Sequence, residues 1–113
     1  MRVIKSYEVH KIRDLFTGRT VAVPVIGPQL FQLDNGLTVE VEPWEADCWC
    51  GEGDCEIIRI AGVGRPIEAV SVNNRKNQGL HTICAATIDR SLILLEVQGR
   101  YGHHDTGYDL VVR

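Results

Sequence analysis

Residues 30–42 read Leu30-Phe31-Gln32-Leu33-Asp34-Asn35-Gly36-Leu37-Thr38-Val39-Glu40-Val41-Glu42, and this stretch decides the fold class. Its Asn-Gly pair is typical of tight hairpin turns, because both residue types tolerate positive φ. After the pair, apolar and polar residues alternate, as they do in a strand with one face on a core and the other in water. We therefore expect a β-hairpin in which Leu37, Val39 and Val41 face the core.

A short helix is predicted before the hairpin. Val9, Ile12, Leu15 and Phe16 have the spacing of one apolar helix face, and Gly18 is expected to end the helix. Residues 20–26 are rich in branched side chains, but the proline in their middle indicates an edge strand or a break. Pro43 is expected to end the second hairpin strand.

The rest of the chain has the pattern of further strands. They are expected over residues 56–60, 67–72, 82–88, 92–97 and 110–112, with an exposed loop over residues 73–79 and a tight turn at residues 89–91. The strand from Leu92 is almost continuously apolar at first, so we expect it to be central. The prediction is an α+β fold, mainly an antiparallel sheet of about six to seven short strands with one N-terminal helix.

Composition and charge limit the classes of protein. The 113 residues, 44% hydrophobic and 24% charged, predict a single compact domain over residues 1–113. A formal net charge of −3 without a basic stripe disfavours nucleic acid as the partner. Charges interrupt residues 1–8, unlike the apolar region of a signal peptide, and no later run is long enough to span a membrane. We therefore expect a soluble protein in the cytoplasm.

Three of the four cysteines lie in the sequence Cys48-Trp49-Cys50-Gly51-Glu52-Gly53-Asp54-Cys55. Thiolates are preferred zinc ligands, so Cys48, Cys50 and Cys55 are candidates for a structural zinc site, with Cys84, His81 or one of His103 and His104 as the fourth ligand. Reduced cysteines without a metal, and a disulfide from Cys55 to Cys48 or Cys50, are the alternatives. Cys84 also fits the interior of an apolar strand as a small hydrophobic residue.

A second candidate set is His103-His104-Asp105. His103 and Asp105 project to one side of an extended chain, and with His81 they would form the two-histidine, one-carboxylate set of non-haem iron enzymes. The same residues also fit a solvated turn. We find no sequence typical of a serine nucleophile or a phosphate-binding loop, so an enzyme is the less favoured interpretation.

Aromatic side chains in polar segments are candidates for partner contacts, because such residues often dominate protein interfaces. Trp49, Tyr101 and Tyr108 belong to this group, together with His103 and His104.

Three short motifs resemble a family of small domains of unknown function that are found mostly in bacteriophage genomes. The motifs are Asp54-Cys55-Glu56 leading into the strand 57–60, Gly64-Arg65-Pro66-Ile67-Glu68-Ala69, and Arg100-Tyr101-Gly102 with Gly107-Tyr108. The chain departs from the family by the insertion 48–53 and by His103-His104-Asp105. The resemblance implies a phage context in the host cytoplasm and a shared fold, but no activity.

The leading hypothesis is a non-enzymatic phage accessory protein that binds a protein, either a host factor or a virion component. We expect its contact surface on the cysteine segment (residues 48–55), the 73–79 loop and the glycine-tyrosine turn (residues 99–108). The alternative is a small metal-dependent enzyme using the His/Asp set or a cysteine-bound metal. A third hypothesis is a homo-oligomer, in which strand edges near Pro24 and residues 110–112 pair between subunits.

Overall fold

The computed structural model describes residues 1–27, 29–45, 55–75, 78–99 and 106–113. This part of the chain contains one helix and eight strands. In chain order they are β1 (Arg2–Lys5), α1 (Val9–Phe16), β2 (Leu30–Gln32), β3 (Thr38–Glu45), β4 (Cys55–Ile60), β5 (Ala69–Arg75), β6 (Leu80–Ala86), β7 (Ser91–Gly99) and β8 (Thr106–Val112). The predicted α+β class, dominated by antiparallel strands, is confirmed, with slightly more strands than expected. Strand β1 is one that the sequence pattern did not predict.

The strands form two antiparallel sheets of four. Sheet I has the order β1-β8-β3-β2, and sheet II has the order β4-β7-β6-β5. The chain therefore passes from sheet I to sheet II after β3 and returns after β7, and β8 inserts between β1 and β3. Strand β7 is central in sheet II, between β4 and β6, as its apolar sequence predicted.

The predicted hairpin is present as β2 and β3. Leu33 N–H donates to Leu37 O over 2.8 Å, and Gly36 turns the chain with a φ of +86°, a conformation that glycine adopts without strain. The predicted orientation of the apolar side chains is confirmed as well, because Val39 and Val41 of β3 are fully buried and Leu37 packs against the core.

Strand β3 does not end at Pro43, as the sequence predicted, but continues to Glu45. Thr38 and Arg113 exchange both of their backbone hydrogen bonds, so hydrogen-bonded pairs recur at every second residue along β3 and β8. Pro43, opposite Tyr108, falls at a non-hydrogen-bonded position. The nitrogen of Pro43 therefore points away from β8, toward the side on which β2 lies. The pairing of β3 with β2 ends at Glu40, so the missing N–H of Pro43 removes no hydrogen bond between strands.

Other boundaries also differ from the predictions. Strand β8, expected over residues 110–112, begins at Thr106, and β6, expected over residues 82–88, covers Leu80–Ala86. Residues 73–75, expected in a loop, belong to β5, because Asn73 and Asn74 pair with Thr82 and His81 on β6. Residues 20–26 form no strand of their own. Val21 instead makes isolated bridges to Leu33 and Val63, which is the break that Pro24 indicated.

The core lies between the two sheets and under the helix. Strand alternation points Val39, Val41, Leu110 and Val112 of sheet I toward Ile83, Ala85, Leu95 and Val97 of sheet II. The apolar face of α1 closes this core with Ile12, Leu15 and Phe16, and the Phe16 ring meets that of Phe31 edge-on at 5.9 Å between centroids.

Residues 110–112 do not form an exposed edge. Leu110, Val111 and Val112 lie on β8 with a strand on each side, and all three are buried. The hypothesis that this segment pairs between subunits is therefore wrong, because its backbone groups already pair with β1 and β3.

Candidate functional site

The described residues that flank the predicted contact segments gather at one end of the molecule. Cys55, which begins β4, lies opposite Gly99, which ends β7. Gly99 N–H donates to Gly79 O over 2.6 Å, and Glu45 lies opposite Thr106 in sheet I. We call this region, defined by these five residues, the junction end. The three segments 46–54, 76–77 and 100–105 leave the described fold there.

A buried histidine holds the two sheets together at the junction end. His81 is 1% exposed, and its Nε2 lies 2.6 Å from Oγ1 of Thr106, the first residue of β8. Its Nδ1 lies 3.0 Å from Oδ1 of Asn74 on β5. Asn74 Nδ2 in turn donates to the carbonyl oxygen of Ser6 over 3.0 Å. This chain of hydrogen bonds connects β6, β5, β8 and the turn between β1 and α1.

The hydrogen bonds decide the orientation of the neutral imidazole. A carbonyl oxygen can only accept, so the amide of Asn74 must direct Nδ2 toward Ser6 and Oδ1 toward His81. His81 Nδ1 then carries the proton, and Nε2 accepts from the Thr106 hydroxyl. Neither ring nitrogen is directed at solvent, so the role of His81 in this geometry is to position strands.

Tyr108 was predicted to contact a partner, but its side chain is fully buried. The strand alternation of β8 turns it toward the core together with Leu110, and its ring meets the His81 ring edge-on at 6.2 Å between centroids. Its hydroxyl is buried without a hydrogen-bond partner among the described residues, and burial raises the pKa of the phenol. Tyr108 is therefore a core residue and not part of an exposed contact surface.

The outer face of sheet I carries a second polar cluster near the junction end. Trp44 Nε1 donates to Asp109 Oδ1 over 3.0 Å, and Lys5 Nζ binds Asp109 Oδ2 over 2.8 Å. The hydrogen bond to Asp109 raises the pKa of Lys5. The indole lies across Gly107, where a Cβ atom would come within 2.6 Å of Trp44 Cζ2 and of Ser6 Oγ. The absence of a side chain at Gly107 is therefore what lets Trp44 pack on the sheet.

Of the four predicted zinc ligands, the structure describes Cys55 and Cys84. Cys55 on β4 lies opposite Gly99 of β7, and Cys84 on β6 lies opposite Ile93 of β7. The two cysteines are therefore separated along the strands by about six residues of β7. At the rise of a strand this separation is about 20 Å, far more than one metal ion can bridge. Cys84 was expected to be a buried small residue, but it is only half-buried, because it lies on the face of β6 opposite the buried His81 and Ile83.

The remaining predicted residues lie outside the described part of the chain. They are Cys48, Trp49, Cys50, Tyr101, His103, His104 and Asp105. Within the described ranges, no group of three His, Cys, Asp or Glu side chains is placed to hold a metal ion.

Sequence reasoning missed Asn74, Thr106 and Asp109, whose side chains organise the two polar clusters. The burial of His81 could have been predicted from the sequence. Strand alternation over residues 81–85 places His81 on the same face as Ile83 and Ala85. The partners Asn74 and Thr106 come from other strands, and no local pattern identifies them.

No helix in the described part of the chain is long and apolar enough to cross a membrane. No family model matches the sequence, and neither the curated proteins nor the solved structures include a match to the chain.

Proposed function

We propose that the protein is a non-enzymatic binding protein that recognises a protein partner through its junction end. The observation that carries the proposal is that the flanking residues of the three predicted contact segments meet there, at Glu45, Cys55, Gly79, Gly99 and Thr106. Segments far apart in sequence can then contribute to one surface. Binding residues are commonly supplied in this way, by connections mounted on a rigid scaffold.

The hydrogen bonds of His81 support this proposal by stiffening the scaffold. A contact surface that is held in place loses less conformational entropy on binding. Asn74, His81 and Thr106 fasten β5, β6 and β8 to one another directly below the junction end. The start of β8 and the two strands on either side of residues 76–77 are therefore held in place.

The phage setting of the proposal rests on the sequence resemblance. It would make the partner a host factor or a virion component, met in the host cytoplasm. A zinc ion bound by Cys48, Cys50 and Cys55 would stiffen the segment that carries Trp49.

The proposal is tested by retention of a partner on immobilised protein, compared among variants. We expect one protein that the wild type retains to be lost with the double variant W49A/Y101A and with Arg75→Glu, an exposed residue that ends β5 beside the junction. Arg59→Glu is the matched control, because Arg59 is an exposed arginine of β4 with no ion pair among the described residues. Direct titration of the purified partner must reproduce this ranking. Equal affinity for all variants would exclude the junction end as the contact surface.

The rival function is a metal-dependent enzyme that uses His81, His103 and Asp105. In the present geometry His81 Nδ1 lies within hydrogen-bond distance of Asn74 and Nε2 within that of Thr106, so a metal ion would have to displace one of these two side chains. Elemental analysis of the purified protein combined with a free-thiol count separates the cases. A bound metal whose removal by chelator leaves partner binding intact but abolishes a hydrolytic or oxidative activity would favour the enzyme.

A further inference from the structure

A cleft of about 260 Å³ lies at the end of the molecule opposite the junction end. It opens between the turn that joins β6 to β7 and the segment that joins β4 to β5. Its lining consists of Val63, Gly64, Arg65, Thr87, Asp89 and Arg90.

One carboxylate is held firmly at the edge of this cleft. Asp89 Oδ1 accepts from the Thr87 hydroxyl over 2.9 Å, and Asp89 Oδ2 lies 3.2 Å from Arg65 Nε. The turn itself is closed by a 2.7 Å hydrogen bond from Thr87 N–H to Arg90 O. The hydrogen bond from Thr87, followed by the charges of Arg65 and Arg90, lowers the pKa of Asp89. Asp89 therefore stays ionised near neutral pH and orients the Arg65 guanidinium.

The two arginines leave donors free in the cleft. Asp89 forms an ion pair with Arg65 at Nε, and no other acidic side chain in the described ranges pairs with the Arg65 guanidinium. The Arg90 guanidinium makes no ion pair with any described residue. Two arginines against one aspartate give the cleft a formal charge of +1, whereas the whole chain carries −3. The local positive charge therefore attracts an anion to this cleft, although the protein as a whole is negatively charged.

We propose that this cleft is a binding site for a small oxyanion, a carboxylate or phosphate group, held between Arg65 and Arg90. A planar guanidinium matches the paired oxygens of both ligands. Asp89 acts as a positioning residue that fixes Arg65 by its Nε side and leaves the Nη side for the ligand. The site is independent of partner binding at the junction end.

The test is a titration of the full chain with inorganic phosphate and, separately, with acetate, followed by amide NMR signals at constant ionic strength and pH 7. We expect saturable shifts concentrated at residues 63–65 and 87–90, with a Kd on the order of millimolar for so few contacts. Tighter binding of phosphate would assign the site to phosphate groups. Equal or tighter binding of acetate would assign it to carboxylates.

Variants show whether the site is specific. Arg90→Gln should raise the Kd about tenfold, the usual effect of losing one charge-assisted hydrogen bond. Arg59→Gln is the matched control, because Arg59 is an exposed arginine of β4 with no ion pair among the described residues, and it should leave the Kd unchanged. The absence of saturable shifts with both anions would overturn the proposal, and so would an equal weakening by the two variants. The amide spectrum of each variant also shows directly that it has folded.

Discussion

His81 Nε2 on β6 lies 2.6 Å from Thr106 Oγ1 on β8, and this hydrogen bond is a direct polar link between the two sheets. Both groups are buried, at 1% exposure each, so water cannot replace the bond when it is lost. Thr106 is the first residue of β8, so the link fastens this end of the strand to β6.

We predict that His81→Ala lowers the free energy of unfolding by about 2–4 kcal/mol, because it opens a cavity and leaves buried polar groups unpaired. Thr106→Val should cost about 1–2 kcal/mol, since it removes one bond and keeps the volume. The double variant should cost less than the two losses added together, because both remove the same bond. Urea unfolding measures all three. Thr82→Ala, on the outer face of β6, is the control, and a His81→Ala effect as small as the control's would show that the link contributes little.

Tyr108→Phe should leave the protein as stable as the wild type or stabilise it by up to about 1 kcal/mol. The reason is that the buried hydroxyl of Tyr108 has no hydrogen-bond partner in the described part of the chain, so its removal avoids a desolvation cost and loses no bond seen there. Thermal unfolding of the two proteins tests this. A clear destabilisation by Tyr108→Phe would mean that the hydroxyl is hydrogen-bonded in solution.

The same variant should change the response to alkaline pH. Burial raises the pKa of Tyr108 in the folded state, while the unfolded phenol has its ordinary pKa of about 10. The unfolded chain therefore releases this proton first, and the stability that the neutral phenol contributes is complete below about pH 10 and falls as the pH rises above it. Urea unfolding from pH 8 to pH 11 should show a steeper loss for the wild type than for Tyr108→Phe. Equal slopes would contradict the prediction, and the Lys5–Asp109 pair, common to both proteins, does not affect the comparison.

Gly107→Ala should destabilise the protein by about 1–3 kcal/mol, in the range of other overpacked sites. The new Cβ would lie 2.6 Å from both Trp44 Cζ2 and Ser6 Oγ, so the indole has to move and its bond to Asp109 is strained. A changed tryptophan emission spectrum should accompany the loss of stability. Gly27→Ala is the control, because its Cβ would make only an ordinary 3.8 Å contact with Leu30 and should be nearly neutral.

The free edge of β1 is protected by Glu8. Ser6 N–H donates to Tyr108 O, so the backbone groups of Lys5 point away from β8, toward the open edge. Glu8 satisfies both of them: its Oε1 accepts from Lys5 N–H over 3.0 Å, and its N–H donates to Lys5 O over 2.9 Å. The backbone N–H and C=O of Val3 also face this edge, and they pair with no described residue. The edge therefore offers few free hydrogen-bonding groups to another strand.

Glu8→Ala should therefore promote self-association, because it frees Lys5 N–H beside the exposed Val3. Sedimentation velocity over a range of protein concentrations would detect the change. Glu8→Gln keeps an oxygen that can accept the same bond, so it should stay as monomeric as the wild type. If Glu8→Gln associated as strongly as Glu8→Ala, the lost charge rather than the freed N–H would be the cause.

The elements that could be predicted are those whose evidence is local. The α1 face formed by Ile12, Leu15 and Phe16 and the hairpin around Gly36 follow from helical spacing, strand alternation and turn chemistry within a few residues. The hydrogen-bond network of the candidate site could not be predicted in this way, because His81 finds its partners Asn74 and Thr106 on two other strands.

Local sequence patterns were enough to predict the fold class, the short helix, the hairpin and the central place of β7, because these depend on periodicity and on the conformational freedom of single residues. The tertiary structure was needed to find that β8 inserts between β1 and β3, that β3 continues through Pro43, and that Tyr108 faces the core. It was also needed to find that Cys55 and Cys84 align with β7 positions six residues apart. The physical reason is that alternation specifies which face of a strand is apolar but not which strand lies beside it. Neighbours and register are selected by packing and backbone pairing between residues that are distant in the chain.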